Sequence, residues 1–472
     1  MQTNSRVPFF AIRTVQLFLS RLFSGFFLGG PIQGTVSDQH ASYNKHVHGN
    51  QNPFILHMFH DVICPNRILT GPWRRQEQFS TIPGYLVFPA PYVFPGIGEG
   101  LMLVGYSGNF LETTIDAYLV GFSGDAAGLV GSVDEVFVVP ELIYFSGWKF
   151  NISKYGINSY SSRGMESEKD DFNIIVGNKF EMDIFKVSLS LFERRLEAAL
   201  LSQIQYGESH KILDSKGNLL NEIDPPQTFE GKKEGIELQL DWTDDFKDPR
   251  TGLRLKSTYD LNTSEDADSP EYYLTSHGLT FYQPVFGEST WALHFFRSDA
   301  KVRKKGYTDL KTALLAEGLN EENATSCSYA PTSLACAPYV NKAQNTINAN
   351  RNGTAHPLGG QDRLRSYPGN RYQAAHTLFY GTELRWNFDT STEVLDWYFF
   401  SDVLQALQAT VFWEQGSVSE EAQDLGKITR SSFGGGLRLV GGSGNTYRYE
   451  ISTGEEGAEM IVMFQYPWRG EM

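Results

Sequence analysis

From about Tyr85 onward, hydrophobic and polar positions alternate with a period of two in stretches of roughly ten residues, which Gly, Asp, Asn or Pro clusters separate. In GIELQLDWTDDF, the four apolar residues from Ile236 to Trp242 share one face and the polar residues between them share the other. This period is that of a β-strand with two different faces. We therefore predict an all-β protein.

The segments of this kind number sixteen, an even number, as single-chain bacterial outer-membrane barrels have. The predicted strands are 86–95, 100–111, 113–124, 133–145, 147–160, 173–193, 196–209, 235–246, 251–261, 271–285, 289–302, 376–388, 403–416, 428–441, 445–454 and 458–468.

The connections between these strands alternate in length. The short ones are 111–113, 145–147, 193–196, 246–251 and 285–289, and the longer ones are 160–173, 209–235, 261–271, 302–376 and 416–428. In outer-membrane barrels the periplasmic turns are short and the external loops long. The alternation thus predicts that both chain ends lie in the periplasm, and that residues 303–375 form one large sixth external loop. A loop of that length is usually functional or disordered.

Strands with one apolar and one charged face also occur in soluble sandwiches. Two features favour a transmembrane barrel: the polar face carries charge at mid-strand repeatedly, and the apolar face often ends in Trp or Tyr. In AEMIVMFQYPW, for example, the stripe from Met460 to Trp468 ends in aromatic residues. An apolar belt with aromatic edges around a wet lumen has this pattern. The predicted fold is a 16-stranded antiparallel transmembrane β-barrel over residues 85–472.

The composition agrees with a barrel and argues against nucleic-acid binding. The 472 residues carry a net charge of -15, whereas a nucleic-acid interface is basic. With 33 Phe, 23 Tyr and 45 Gly, the chain is aromatic and glycine-rich, yet its mean hydropathy is -0.32. Lipid-facing and lumen-facing residues average out in this way in a membrane barrel. No apolar run beyond residue 30 is long enough for a spanning helix.

The N-terminal region is predicted to lie outside the barrel. Residues 1–30 include an apolar stretch flanked by arginines, which is a candidate signal or targeting segment, although Arg21 interrupts it. Residues 31–84 are weakly periodic and are predicted to be a linker or periplasmic tail. Five histidines between residues 40 and 60 precede Cys64, but their spacing matches no closed metal motif. No metal site is expected there.

Two further cysteines, Cys327 and Cys336, flank eight residues of the large loop. In an oxidising compartment they are a candidate disulfide; otherwise they are two free loop thiols. No nucleotide-binding loop, metalloprotease helix or nucleophile elbow occurs in the chain. We therefore expect no enzymatic activity and no cofactor.

The stretch PLGGQDRLRSYPGNRY, residues 357–372, is unusually specific for a loop. It contains Gly359 and Gly360, and it places Arg365 close to Tyr367. A guanidinium that leaves bulk water needs carboxylate or carbonyl partners, and a carboxylate is the stronger one.

The strands that follow this stretch supply such partners. Glu383 and Glu414 are predicted to face inward, as are Arg385, Arg438 and Arg448. Two arrangements remain open from the residues alone. Either the loop folds back into the lumen and its arginine docks on one of the two acids, or the arginine stays in external water and the strand charges pair among themselves.

Several motifs occur in an order that resembles a known family. They are DWTDDFKDPRTGLRLKSTYDL (241–261), LGGQDRLRSYPGNRY (358–372), GTELRWNF (381–388), FWEQG (412–416), GGGLRL (434–439) and MFQYPW (463–468). Together they resemble the Omp85 superfamily of outer-membrane barrels, of the surface antigen D15 type that includes BamA and TamA. The resemblance covers roughly residues 85–468.

The resemblance implies that Arg365 is the loop arginine that docks inside the barrel and that Glu414 is the acid it meets. Ser366 stands where the family has glycine, so a positive φ at this position would be disfavoured. Because Glu414 is longer than the family's aspartate, the contact is expected to shift outward.

The family also implies a function in the outer membrane of Gram-negative bacteria. The expected activity is insertion or translocation of outer-membrane proteins, or lipid handling, through a lateral seam between the first and last strands. A passive pore or ligand-gated channel is the alternative, and a soluble β-rich enzyme a third reading. Expected partners are outer-membrane lipids and lipopolysaccharide, with unfolded client proteins or a periplasmic partner. Residues 31–84 lack strand–helix alternation, which resembles the branch without POTRA domains.

Overall fold

The structure, a computed structural model, describes residues 78–94, 97–160, 162–264, 268–317, 319–389, 398, 400–401, 406–441, 446–464 and 467–468. The candidate signal segment 1–30 and the tail up to residue 77, including its histidines and Cys64, lie outside the described residues.

The strands in the described ranges form a single antiparallel sheet that closes on itself. Sixteen of them are the staves of a barrel, and β13 is a two-residue strand in the connection from β12 to β14. This confirms the predicted 16-stranded antiparallel β-barrel. The strands are β1 Gly84–Phe94, β2 Gly98–Gly108, β3 Asp116–Gly124, β4 Ala127–Val139, β5 Ile143–Tyr160, β6 Phe172–Leu191, β7 Leu196–Leu213, β8 Leu219–Thr243, β9 Gly252–Ser264, β10 Glu271–Pro284, β11 Ser289–Lys304, β12 His376–Asp389, β13 Phe400–Ser401, β14 Ala406–Ser419, β15 Arg430–Val440, β16 Thr446–Gly454 and β17 Gly457–Phe464.

The barrel is apolar outside and polar inside, which is the reverse of a soluble protein. On β15, Leu437 is 57% exposed, whereas its neighbour Arg438 is 1% exposed. On β11, Trp291 and Phe295 face outward, and His294 lies buried between them on the inner face. Successive side chains of a strand point to opposite sides, so the period of two in the sequence becomes this division. A wet-lumen barrel, and not a sandwich, accounts for it.

The predicted connection 209–235 is wrong, because two strands fill it. β7 continues to Leu213, β8 begins at Leu219, and only residues 214–218 join them. The extension of β8 is mostly exposed on both faces, so no burial pattern marks it as a strand in the sequence. The adjacent prolines 225 and 226 fall where the register shifts between Ser209 and Lys211, at an irregularity that tolerates residues without an N–H.

The last strand is shorter than the predicted 458–468, since β17 ends at Phe464. Pro467 lacks the N–H that a continuing ladder requires. The predicted strand 133–145 is displaced by six residues, because β4 spans Ala127–Val139. The predicted turn 145–147 is therefore wrong and lies inside β5, which begins at Ile143. The other predicted strands agree with the structure to within a few residues.

The large connection 305–375 contains three helices: α1 Leu310–Ala316, α2 Glu321–Tyr329 and α3 Ala337–Asn352. Asp309 and Asn320 cap the first two by accepting hydrogen bonds from backbone N–H groups. The helices share a small apolar cluster that includes Leu314 and Ile347. A disulfide joins Cys327 to Cys336 between α2 and α3. No helix in the described ranges is long and apolar enough to cross a membrane.

We predict that Cys327→Ser combined with Cys336→Ser destabilises this helical segment by about 2–3 kcal/mol, since the cross-link closes a short loop. Hydrogen exchange of α2 and α3 amides should accelerate, while exchange in β12 and β14 stays unchanged. Equal acceleration in the barrel strands would contradict a local role for the disulfide.

Candidate functional site: a buried arginine in the barrel lumen

Residues 357–372, called the latch from here on, form a compact hairpin. Leu358 and Tyr372 pair through both backbone hydrogen bonds, at 2.9 and 3.0 Å. Gly359 and Gly360 have φ angles of 102° and 100°, which favour glycine. A Cβ on Gly359 would lie 2.1 Å from the carbonyl oxygen of Pro368, so this position also needs the missing side chain.

The latch brings Arg365 into the lumen, where its side chain is fully buried. Its backbone N–H and its Nε donate to the two carboxylate oxygens of Glu414, at 2.9 and 2.8 Å. Its Nη1 donates to Glu450 at 2.8 Å, and its Nη2 lies 3.2 Å from Glu383. The arginine thus meets both acids expected from the sequence and a third.

The three glutamates stand on the neighbouring strands β12 and β14 and on β16, and further arginines bridge them. Arg438 donates to Glu383 from Nη1 and Nη2, both at 2.7 Å, and to Glu450 from Nε at 3.0 Å. Arg385 donates to Glu383 at 2.7 Å. Arg448 donates to Glu450 at 2.9 Å. Glu383 and Glu450 are thus each shared by three arginines, whereas Glu414, among the described residues, pairs with Arg365 alone. Each of the three buried carboxylates has a cationic partner.

We call these seven side chains the lumen charge cluster; they are Arg365, Arg385, Arg438, Arg448, Glu383, Glu414 and Glu450. Burial by itself lowers the pKa of the Arg365 guanidinium. The attraction of Glu414, Glu450 and Glu383 outweighs burial and raises this pKa above its ordinary value. Arg365 is consequently a cation at every physiological pH, and the latch has a permanent electrostatic anchor.

Aromatic side chains complete the surroundings of the arginine. The guanidinium carbon of Arg365 lies 3.3 Å from the centroid of the Phe412 ring and 5.6 Å from that of Trp468. Trp468 stacks on His294 with centroids 5.2 Å apart and planes 6° apart. It also packs against the apolar cluster that contains Phe379. The sequence predicted Trp468 on the outer aromatic stripe; the structure places it inside the barrel, which corrects that expectation.

Ser366 and Tyr367 anchor the latch a second time. The backbone N–H of Ser366 donates to Ser432 Oγ at 2.7 Å. Tyr367 is buried, and its hydroxyl donates to the carbonyl oxygen of Ser431 at 3.3 Å. The positive φ angles near this point belong to Leu364, at 52°, and Asn370, at 60°. The strain expected at Ser366 is therefore absent, because its backbone adopts no positive φ.

The other end of the latch is tied to neighbouring connections of the barrel. Arg371 donates from Nη2 to Glu456, in the turn between β16 and β17, at 2.6 Å. It also donates to the hydroxyl of Ser167, in the connection from β5 to β6, at 2.6 Å. From the same connection, Arg163 donates to the carbonyl oxygen of Gly353 at 2.8 Å. Three connections therefore meet across this mouth of the barrel.

Sequence reasoning missed Glu450, Arg371 and Trp468. Glu450 follows Arg448 by two residues, so both side chains point to the same side of the strand. Because Arg448 was predicted to face inward, the inward position of Glu450 could have been predicted too. Arg371 offered no sequence signal, because its partners lie in distant turns. Among the described residues, no group of three His, Cys, Asp or Glu side chains is arranged to hold a metal ion.

A second feature is the junction between the first and last strands, which is sparsely paired in the part of the chain that the structure describes. In the described residues, β1 and β17 share one paired position, Val93 with Val462. By contrast, β1 and β2 pair at eleven positions, from Gly84 to Phe94. At the other end of β1, the short strand β13 pairs with Tyr85 and Leu86. We call this junction the seam.

We predict that Arg365→Ala destabilises the barrel by about 3–5 kcal/mol, because it leaves three buried glutamates short of a cation. The urea midpoint in lipid vesicles should fall, and the folded, faster-migrating band on unheated gels should weaken. Arg351→Ala, on the exposed end of α3, is the matched control and should leave both unchanged. A normal midpoint for the Arg365 variant would refute the anchor.

We predict that the charge exchange Arg365→Glu with Glu414→Arg does not restore folding. A glutamate at position 365 would still face Glu383 and Glu450, and like charges in a buried site repel. The gel mobility of the double variant should match that of Arg365→Glu alone. Full rescue would indicate an isolated pair in place of a cluster.

We predict that Gly454→Ala unseats the latch, because the added Cβ would lie 2.3 Å from Ser366 Oγ. Adding Ser366→Gly removes that hydroxyl and should restore part of the lost stability. The double-mutant cycle in urea tests this, and the two substitutions should couple by about 0.5–3 kcal/mol. Simple additivity would contradict the contact.

A scan against protein-family models and a search of curated proteins found no match to this chain. Among solved structures, it is similar to BamA from Haemophilus ducreyi lacking POTRA domains 1–3, at 12% identity and a TM-score of 0.44, covering 82% of this chain and 70% of that one. It is also similar to CdiB from Escherichia coli, at 13% identity and a TM-score of 0.45, covering 81% of this chain. This chain spans 61% of the Escherichia coli CdiB chain.

Proposed function

We propose that this chain is an integral outer-membrane barrel of the Omp85 type, which inserts or translocates outer-membrane proteins, or handles lipid, through its lateral seam. The observation that carries the proposal is the seam itself, where one residue pair joins β1 to β17 in the described residues. Within the described residues, opening β1 from β17 separates one paired position, whereas opening β1 from β2 separates eleven.

The outer surface supports residence in a bilayer. Leu101, Leu200 and Leu437 are each more than half exposed on the barrel wall, and charged side chains fill the interior. Such a surface is costly in water and favourable in lipid. We place both chain termini in the periplasm and the connection 305–375 outside the cell, with lipopolysaccharide and other lipids as direct neighbours.

The path of the chain after β17 supports a seam that can open. Continuing the register of Val93 with Val462 would bring residue 468 opposite Val87. Trp468 instead lies in the lumen, stacked on His294. Pro89 and Pro91 of β1 have no N–H to offer a neighbouring strand. Near its first residues, at Tyr85 and Leu86, β1 pairs with the two-residue strand β13.

The latch argues against a passive pore. Arg365 and Tyr367 occupy the lumen, and Arg163 and Arg371 tie connections together across its mouth. A wide aqueous path would need these contacts to be absent. We accordingly propose a gated, non-enzymatic protein, with unfolded client polypeptides or a periplasmic partner arriving at the periplasmic end and no role for nucleic acid.

We predict that Val93→Cys with Val462→Cys, once oxidised, locks the seam and abolishes activity. Directly paired strand positions have the Cα separation that a disulfide needs. The purified barrel in vesicles should lose its stimulation of insertion of a urea-unfolded β-barrel client, or of transfer of a fluorescent lipid between leaflets. Reductant should restore it.

The control is a cysteine pair at Val187 and Leu200, which pair between β6 and β7, two strands that do not border the seam. Oxidising that pair should leave activity intact. Both barrels should carry Cys64→Ser, because Cys64 is the one native cysteine outside the Cys327–Cys336 disulfide. Activity that survives oxidation of the seam pair would exclude lateral opening as the mechanism.

A pore and a seam protein differ in planar-bilayer recordings. We expect small, infrequent conductance from the native barrel and larger conductance after Arg365→Ala, because the latch no longer holds the lumen. Large, steady conductance from the native protein would favour the pore.

A further inference from the structure

The outer wall of β11 changes abruptly from apolar to basic along one face. Trp291 and Phe295 are exposed on that face, and Arg297, Lys301 and Arg303 follow in the same phase toward the large connection. The stretch RSDAKVRKK, residues 297–305, contains five cations and one acid, although the whole chain has a net charge of -15. Its charge therefore departs strongly from that of the rest of the protein.

The cations Lys301, Arg303 and Lys304 of this stretch are exposed, and the last two are only weakly neutralised. The side chains of Arg303 and Lys304 are 53% and 44% exposed, and both lie near Glu271, at 4.0 and 3.9 Å. Exposed pairs at such distances contribute little. Arg297 is held by Asp299 through two hydrogen bonds of 2.8 Å, which fixes its guanidinium on the barrel wall. Lys301 is exposed.

Tyrosines mark the height of these cations on the wall. Tyr273 of β10 pairs across the strands with Lys301. Tyr259 of β9 stacks on Tyr273, with ring centroids 5.3 Å apart and planes 20° apart. Tyrosine is enriched at the boundary between hydrocarbon and lipid headgroups. The cations next to these rings thus lie at headgroup level, just beyond the apolar belt.

We propose that Arg297, Lys301, Arg303 and Lys304, here called the basic rim, form a binding site for the phosphate groups of a phosphorylated lipid in the outer leaflet. Arginine forks and lysine ammonium groups are the side chains that bind phosphate. The apolar wall directly below, with Phe295, receives the acyl chains of the same lipid. The inference rests on the proposed function, because it requires insertion with the large connection outside.

Neighbouring groups favour a lipid over a free anion. A soluble phosphate gains nothing from the exposed Phe295 and Tyr259 beside the cations. A lipid, by contrast, contacts both the aromatic residues and the basic residues. The strand also spaces the cations suitably. With a rise of about 3.3 Å per residue, Lys301 and Arg303 lie about 7 Å apart and Arg297 about 13 Å from Lys301. One headgroup with more than one phosphate can contact several of them.

The test compares two variants that remove the same charge. The rim variant is Lys301→Gln, Arg303→Gln and Lys304→Gln, and all three side chains are exposed, so folding should be retained. The control variant is Lys211→Gln, Lys216→Gln and Lys311→Gln. These residues lie on the β7–β8 hairpin and on α1, away from the headgroup-level wall. Each barrel is reconstituted in nanodiscs and titrated with fluorescent lipopolysaccharide.

The rim variant should bind lipopolysaccharide about 100-fold more weakly, because each cation near a charged membrane surface contributes roughly fivefold. The control variant should bind like the native barrel. Enzymatically dephosphorylated lipopolysaccharide should show no difference between native and rim barrels.

Three results would overturn the site: native affinity in the rim variant, equal weakening in the control, or undiminished binding of the dephosphorylated lipid. Displacement of lipopolysaccharide by millimolar inorganic phosphate would identify a free-anion site instead. Failure of the native barrel to enter nanodiscs would count against the proposed membrane function, and is read separately from the titration.

Discussion

The burial of one guanidinium organises this barrel. The guanidinium of Arg365 is removed from water and pairs with three carboxylates, which belong to glutamates on β12, β14 and β16. A charge in that position tolerates no shift of a neighbouring strand by one residue, since the shift would turn its glutamate outward. The inward phase of β12, β14, β15 and β16 is therefore fixed by a loop residue and by the arginines that bridge the same carboxylates.

The close approach of the latch to the barrel wall depends on strand glycines, which lack a side chain, as much as on the charged strand residues. Gly416 faces Leu358, and a Cβ there would lie 2.6 Å from its side chain. Gly454 leaves room for Ser366 in the same way. Charged residues attract the latch to the wall, and glycines let it reach the wall. The result is a filled sector of lumen beside the seam, where Trp468 adds its ring to the packing.

The barrel could be predicted from the alternation of polar and apolar residues. A strand with one side in the lumen and the other in lipid has polar residues on the first side and apolar residues on the second, so the two kinds alternate along the sequence. The prediction was wrong along the first part of β8, because both faces of the strand are exposed there and polar and apolar residues do not alternate. The same logic applies to the cluster. Glu383 and Glu414 could be found from their inward phase, and Glu450 could have been. The position of Trp468 could not be predicted. It was inferred from the period of two, and that period ends with β17, before Trp468.

The order of these residues along the chain has a consequence for assembly. Arg365 precedes all three of its glutamates, which follow it at separations of 18, 49 and 85 residues. Arg365 therefore has none of its carboxylate partners until β12, β14 and β16 are in place. Until then its charge stays in water, and ordering it costs entropy with nothing in return. Docking of the latch and folding of the last third of the barrel are consequently one cooperative step. A barrel that still lacks these strands therefore has no latch in its lumen.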